Sequence, residues 1–211
     1  MSRYDIAIIG MGCVFPKAKD VDQYWRNIES GGTFFESMPD RLWRMKSYTS
    51  DDKKRTDKSY TDVGSFIDPV ESFPFLEFKL PPNTMKGSDP AQIVTLESVR
   101  QALADAGIAP RSEQLTKAVT IIGASGVDQF AHSTLALRRH NYLRALKPLL
   151  LARGVSQKHI DALSAELEKE LAKRGHVWHP AIAAVGAITA SLSNRVAQVF
   201  GVRGFNMTVD G

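Results

Sequence analysis

One thiol, five imidazoles and a glycine pair are the features of this 211-residue chain that could do chemistry. Cys13 follows Gly10-Met11-Gly12 at the end of an apolar run. A cysteine becomes a nucleophile when a helix N-terminus or a neighbouring base lowers its pKa. No flanking base is apparent in the sequence, so Cys13 reads as a small buried residue. The glycine pair has the start of a dinucleotide-binding turn, but the third glycine would fall at Phe15 and the next helix begins too late. His176-Val-Trp-His179 supplies two imidazoles at a spacing that gives neither a shared helix face nor a third ligand close by, and Pro180 suggests a loop. Packing or exposure therefore outweighs metal binding there. A single cysteine cannot form an internal disulfide or a four-cysteine zinc framework, and a reducing cytoplasm is the expected setting.

The elements that would position these residues read as an α/β pattern. Asp5-Ile-Ala-Ile-Ile-Gly10 is a short apolar run closed by glycine, which predicts a central strand buried on both faces. Asp20 caps a predicted helix with Val21, Tyr24, Trp25 and Ile28 on one face, Gln23 at the capping-box position and Gly31-Gly32 as the stop. Residues 33–87 lack a long periodic pattern, so they are expected to be functional or to lie over a larger surface. A second helix is marked by Ser88 as cap, Pro90 in its first turn, Ile93, Leu96, Val99 and Leu103 on one face, and Gly107 as the stop. Lys117 to Gly123 reads as another buried strand. From His132 to Arg174 come two helical stretches joined by residues 152–156. Leu135, Tyr142, Leu146 and Leu149 form the stripe on one, and Ile160, Leu163, Leu167 and Leu171 that on the other. This predicts an inserted αα-hairpin, on the outer surface or at a contact, whose leucines bury each other. A helix over Ile182–Phe200 and a strand over Gly204–Val209 complete a mostly parallel sheet with helical crossovers.

Composition narrows the function classes. The chain is 43% apolar with mean hydropathy −0.20, which fits a folded globular chain, and no apolar stretch reaches membrane-spanning length, so neither a signal nor an anchor is expected. Its 27 basic and 23 acidic residues give a net charge of +4. The basic residues alternate with acids instead of interleaving with exposed aromatics, which argues against a nucleic-acid binder and suits an acidic protein partner better. Arg138, Arg139, Arg144, Lys147, Arg153 and Lys158 cluster on the hairpin, where a solvated helix face is the plainer reading.

The order of several separate motifs is more specific. Ile6-Ala-Ile-Ile-Gly-Met-Gly-Cys-Val-Phe-Pro16, Gly64-Ser-Phe-Ile67, Ser88-Asp-Pro-Ala-Gln92, Gln101-Ala-Leu-Ala-Asp-Ala-Gly-Ile108, Asn194-Arg195 and Gly204 through Asp210 together resemble the N-terminal half of β-ketoacyl synthase (ketosynthase) domains, almost end to end. Leu80-Pro-Pro-Asn83 and the hairpin insertion look more like the polyunsaturated-fatty-acid and iterative polyketide synthase types. The resemblance implies a thiolase-like fold of two similar halves, with residues 1–211 as the first half, the C-terminal half absent, and the complete domain a homodimer. It also implies a decarboxylative Claisen condensation on acyl chains carried by an acyl carrier protein. The substrates ride on phosphopantetheine, and no cofactor, nucleic acid or membrane is involved.

In that family the active-site strand ends in a Val-Asp-Xaa-Ala-Cys pattern. Here Val209-Asp210-Gly211 corresponds to its start, with glycine where many relatives carry threonine. The nucleophilic cysteine is expected two positions beyond Gly211 and the two family histidines further on, so no catalytic residue is assigned within 1–211. Without them the polypeptide is expected to be inactive and poorly stable or self-associating. The loop Gly123-Ala-Ser-Gly126 with Asp128-Gln-Phe130 matches the region that approaches the acyl tunnel and dimer interface in relatives. This makes Gly126, Asp128, Gln129 and Phe130 candidate substrate contacts, and a strand-end turn using glycine for backbone freedom explains them equally well. Two alternatives stand beside the condensing enzyme: a non-catalytic ketosynthase-like partner subunit that shapes an acyl cavity, and a nucleotide-binding α/β protein resting on Gly10-Met11-Gly12 alone.

Overall fold

The computed structural model describes residues 6–39, 49–68, 70, 73–80, 89–124, 144–173 and 191–210. The chain divides into two compact units, Met1–Phe73 with Ile93–Gln114, and Pro74–Gln92 with Leu115–Gly211.

In the first unit, helix α1 spans Val21–Glu29. Asp20 starts it: the Gln23 N–H donates to Asp20 Oδ1 at 2.8 Å, and the Lys19 N–H donates to Gln23 Oε1 at 3.0 Å, so the capping box closes one residue earlier than its usual reach. Gly31, at φ +61°, turns the chain away at the other end. The predicted apolar face is where the periodicity puts it but is not covered, since Trp25 is 58% and Ile28 50% exposed. Two short strands follow within the long irregular segment. Strand β1 (Glu36–Ser37) pairs antiparallel with β2 (Val63–Gly64), and Lys17 Nζ reaches Glu36 at 3.1 Å.

Helix α2 spans Pro90–Asp105, beginning in the second unit and running on into the first. At its start Asp89 Oδ1 accepts from the Ala91 N–H at 2.8 Å, and the predicted cap Ser88 lies outside the described residues. An aspartate directly before Pro90 reaches the second helical N–H. At the far end Gly107 has φ +65°, the Ile108 N–H donates to the Leu103 carbonyl at 2.8 Å, and the Gly107 N–H donates to that of Ala104 at 3.1 Å. This paired 6→1 and 5→2 arrangement is how a glycine-terminated helix satisfies its last carbonyls.

The apolar run near the N-terminus departs from expectation. Residues 6–10 form no strand among the described residues, and Ile6 and Ile8 are 94% and 85% exposed. A strand is defined by its ladder partners, so an apolar run alone cannot form one, and no described strand pairs with this run.

The second unit contains a parallel pair. Strand β3 (Thr120–Ala124) pairs with β4 (Asn206–Asp210) in register from Thr120↔Asn206 to Ala124↔Asp210. A short helix, α3 (Glu113–Thr116), precedes β3 and buries Leu115. Helix α6 (Ser191–Phe200) is the crossover that leads into β4 and packs on the pair. Leu192, Val196, Val199 and Phe200 are buried, and the Phe200 ring meets Phe78 edge-on at 5.2 Å. A Cβ at Gly204 would collide with the Ala118 carbonyl oxygen, so only glycine lets the chain enter β4 this close to the start of β3.

The expectation of strands buried on both faces is corrected here. Thr120, Ile122 and Ala124 are half-buried, and Ile121 and Gly123 alternate with them as exposed residues. Phe205, Met207 and Val209 are likewise exposed. Among the described residues α6 packs on the pair, and the alternation of half-buried and exposed residues shows one face covered and the other not.

The predicted hairpin is present over its described part. Residues 144–152 form helix α4, Gly154 at φ +82° ends it with the same 6→1 and 5→2 pair of bonds, and α5 spans Gln157–Lys173. Its leucines do not bury each other as expected. Ile160, 4% exposed, is the buried side chain among the described hairpin residues, while Leu146, Leu149, Leu163 and Leu167 are exposed. Ile160, Leu163 and Leu167 share one face of α5 by their spacing, so the exposure of the two leucines shows that only part of that face is covered.

Candidate functional site

Parallel strands in α/β proteins present their carboxyl ends to ligands, because loops leaving them surround a crevice open to solvent. Here the register makes Ala124 and Asp210 partners, so β3 and β4 end level with each other. The four candidate substrate contacts, Gly126, Asp128, Gln129 and Phe130, follow β3 in the chain and lie outside the described residues, as do Gly211, His176 and His179. The described geometry thus brings together the strand ends from which both chemical segments depart, and leaves the segments themselves undescribed.

Behind this edge is a polar lattice that the sequence pattern does not single out. The Thr208 hydroxyl donates to Ser193 Oγ at 3.0 Å, and the Ser193 N–H donates to Thr208 Oγ1 at 3.4 Å, which ties the first turn of α6 to β4 two residues from its end. Gln92, 1% exposed, donates through Nε2 to Ser191 Oγ at 2.9 Å and accepts from Arg195 Nε at 3.3 Å. Buried polar groups held in pairs like these fix one arrangement of their elements, since each left alone would lose a partner without regaining water. Arg195 was legible as part of a motif. Gln92 and Thr208 fall within quoted motifs as well, but the roles of all three in this lattice were not legible, because an amide in a helix and a threonine in a strand are equally common on solvated faces.

The glycine pair belongs to the first unit and has a packing role. A Cβ at Gly10 would collide with the Ala102 carbonyl oxygen, and one at Gly12 with that of Ser98. The loop is pressed against the backbone of α2. The Met11 N–H donates to Asp105 Oδ2 at 2.8 Å and the Cys13 N–H to Gln101 Oε1 at 3.2 Å. Those N–H groups, which a pyrophosphate would need, are occupied by side chains of α2. The dinucleotide reading therefore has no support in the structure.

Cys13 is half-buried on this loop. Burial pushes its thiol pKa up, and the negative charge of Asp20 adds to the shift. Both effects oppose thiolate formation, the reverse of what activates a nucleophile. On α2 itself, Glu97 accepts two hydrogen bonds from Arg100, at 2.7 and 2.8 Å, and one from Gln101 at 2.9 Å. Burial pulls the Glu97 carboxyl up, but the bonds from Arg100 and Gln101 and the Arg100 charge outweigh it and hold it below its ordinary value.

Among the described residues, this unit holds the following two cavities. One of about 330 Å³ is lined by Lys17, Lys19, Gln23, Asp68 and Glu97 among others. Its charges balance within the protein: Lys17 also pairs with Glu36, and Asp68 lies 3.9 Å from Lys17 Nζ. The other, of about 480 Å³, is an aromatic groove lined by Phe15, Tyr24, Ile28, Phe34 and Phe35, with the Phe15 and Tyr24 rings stacked at 4.4 Å. Among the described residues no three His, Cys, Asp or Glu side chains gather as metal ligands, and no helix is long and apolar enough to cross a membrane.

The model of the beta-ketoacyl synthase N-terminal domain matches residues 3–211. The chain belongs to this family. It is 37% identical over 118 residues to polyketide synthase PksN of Bacillus subtilis, covering 56% of this chain and 2% of that protein. It is 27% identical over 205 residues to one subunit of the polyunsaturated fatty acid synthase of a Thraustochytrium species, covering 97% of this chain and 7% of that protein. The ketosynthase N-terminal domain thus spans a small fraction of the curated relatives it matches. In three dimensions it is similar to an oxazolomycin ketosynthase domain from Streptomyces albus, with TM-score 0.65 and 22% identity over 96% of this chain and 28% of the other. At that identity the likeness shows the fold, which is the thiolase-like α/β fold of the ketosynthase domains.

Proposed function

We propose that residues 1–211 are the N-terminal half of a ketosynthase domain, carrying an inserted hairpin at about 132–174, that extends carrier-bound acyl chains by decarboxylative Claisen condensation. The observation that carries this reading is the level ending of β3 and β4 against α6 in a chain matched by the family model along its length. A cysteine placed just past β4 would be aimed by a strand whose position is fixed through Thr208 and Ser193.

In this reaction the thiolate attacks the thioester carbonyl of an acyl group delivered on phosphopantetheine, and the carrier thiol leaves. A malonyl unit on a second carrier then loses CO₂, its enolate carbon attacks the acyl-enzyme carbonyl, and the cysteine thiolate is released. Backbone N–H groups hold the developing oxyanion. Gly126, Asp128, Gln129 and Phe130 contact the acyl chain where the loop leaves β3, and no separate cofactor takes part. The complete domain works in the cytoplasm as a homodimer, completed by the C-terminal half, with an acidic acyl carrier protein as partner.

Within 1–211 the one thiol is Cys13, which is poorly placed to ionise, so the polypeptide alone should not condense acyl groups. Intact-mass measurement after incubation with an acyl-carrier thioester tests this. The 1–211 polypeptide is expected to gain no stable acyl mass, and a polypeptide extended through the downstream half to gain one acyl group at a cysteine two positions past Gly211. Stoichiometric acylation of Cys13 in 1–211 would overturn the assignment. An extended polypeptide that folds without acylation would support a non-catalytic partner subunit instead.

A further inference from the structure

Helix α4 is rich in leucine on more than one side. Leu149, Leu150 and Leu151 are consecutive, and at about 100° per residue they spread over more than half of the circumference. Among the described residues little is laid on them: Leu149 is 62% and Leu151 44% exposed, Leu146 is exposed as well, and Leu150 is half-buried.

The same helix is cationic. Arg144 opens its described part, Lys147 lies within it and Arg153 follows its last residue, and all three are exposed. No acid occurs in the sequence between Asp128 and Asp161, an interval that also holds Arg138, Arg139 and Lys158. Lys147 Nζ lies 3.7 Å from Asp161 at the start of α5, and both side chains remain open to solvent. On α5 the exposed Leu163 and Leu167 lie beside Asp161 and Glu166 in the sequence, so α4 is the helix that negative charge draws in.

A leucine-bearing cationic helix suits two kinds of occupant, an acidic helix of another protein or an anionic lipid surface. An acidic helix laid along α4 covers one strip of side chains and leaves leucines on the other side wet. At a bilayer surface, leucines on several sides of a helix enter the boundary between headgroups and acyl chains. The flexible stems of Arg and Lys meanwhile carry their charges back to the phosphates. The spread of the leucines around α4 therefore favours the lipid.

We infer that α4 is a peripheral docking surface for anionic lipid bilayers, with Leu146, Leu149 and Leu151 entering the interface and Arg144, Lys147 and Arg153 held by lipid phosphates. The family likeness implies no membrane in the condensation itself. The surface inferred here acts on where the domain resides and is independent of that reaction.

The test floats the 1–211 chain, and the polypeptide extended through the downstream half, with vesicles of equimolar phosphatidylcholine and phosphatidylglycerol or of phosphatidylcholine alone. Both polypeptides are expected to float with the anionic vesicles, to stay behind with the neutral ones, and to be released by about 500 mM salt, where surface charge is screened over a few ångström. Arg144→Gln with Arg153→Gln should weaken binding roughly tenfold or more. Leu149→Gln with Leu151→Gln should weaken it at unchanged charge while the helical circular dichroism is kept, and Leu149→Ala with Leu151→Ala serves where the amides lower helix content. In the 1–211 chain carrying Cys13→Ser, a nitrobenzoxadiazole label at Leu149→Cys should be quenched by spin-labelled lipid, and one at Ala162→Cys, on an exposed position of α5, should not. Equal binding to both kinds of vesicle, binding that survives either pair of substitutions, or equal quenching at both labels would each overturn the proposal. So would an extended polypeptide that does not float, which would show α4 covered by the downstream half. A synthetic acidic, leucine-bearing helical peptide that binds through Arg144 and Arg153 while anionic vesicles do not would overturn it in favour of a protein partner.

Discussion

Gly12 has an outcome that separates close packing from backbone freedom. A methyl group at this position would meet the Ser98 carbonyl oxygen, the Ala102 nitrogen and the Gln101 Cβ, and the first two are backbone atoms of α2 that no rotamer change can move. The loop would have to lift off the helix, and the hydrogen bonds made by the Met11 and Cys13 N–H groups would stretch with it. Overpacking of this kind costs about 1–3 kcal/mol, and the two stretched hydrogen bonds, weakened but not lost, together add roughly 1 kcal/mol. Gly12→Ala is therefore expected to destabilise the first unit by about 2–4 kcal/mol. Gly123 is the matched control, since its Cβ would meet nothing within 4 Å and its φ is not positive. Gly123→Ala should change stability by no more than about 0.5–1 kcal/mol, and in the stabilising direction, through the unfolded chain. Urea unfolding reads Gly12→Ala in the first unit through Trp25 emission, with Trp43 and Trp178 replaced by Phe, and Gly123→Ala in the second unit through far-UV circular dichroism. With a slope of roughly 2–3 kcal/mol per molar, the Gly12→Ala midpoint should fall by about 1 M. A Gly12→Ala midpoint within about 0.2 M of the parent, on the same slope, would refute the close approach of this loop to α2.

Two further outcomes concern titratable groups. Cys13 alkylation by iodoacetamide should be slow at pH 7 and still be rising at pH 9, because burial and Asp20 hold its pKa above the ordinary 9.0, and a plateau reached below pH 8 would contradict this. Glu97, with its pKa held below the ordinary 4.5, contributes stability that is present above about pH 4.5 and lost as pH falls through its folded value. The stability gap between the parent and Glu97→Gln should accordingly narrow as the pH is lowered below 4.5, and a gap that stayed constant down to pH 3 would show that the Arg100 pair does not set this titration.

The parts of the fold that sequence revealed are those decided within a few residues. Asp20 with Gln23, and Gly107 with its two backbone bonds, are local devices, and each helix boundary they imply is observed. The parallel crossover into β4 was legible because a strand, helix, strand order leaves few alternatives. Residues 6–10 went the other way: a continuous apolar run states what the segment could bury and says nothing about which chain supplies the ladder. The same separation explains Gly10 and Gly12. Glycine marks a need for space, and only the position of α2 shows that the need is a helix backbone instead of a phosphate. The motif around Val209-Asp210 falls at the end of β4, and the lattice of Gln92, Ser193 and Thr208 that holds this strand joins residues more than 100 positions apart in the case of Gln92 and Arg195.

The β3–β4 ladder also sets an order of events during synthesis. Its two strands are separated by roughly 80 residues, and closing so long a loop carries an entropy cost that must be met before any ladder bond forms. The helices that fill much of this interval make their backbone hydrogen bonds within themselves, so their formation shortens the span that remains to be closed. Ile121, Met207 and Val209 then come together on the open face of the pair only once β4 has emerged. The pair thus forms late, and β3 waits for β4, its ladder partner among the described residues, until that strand has emerged.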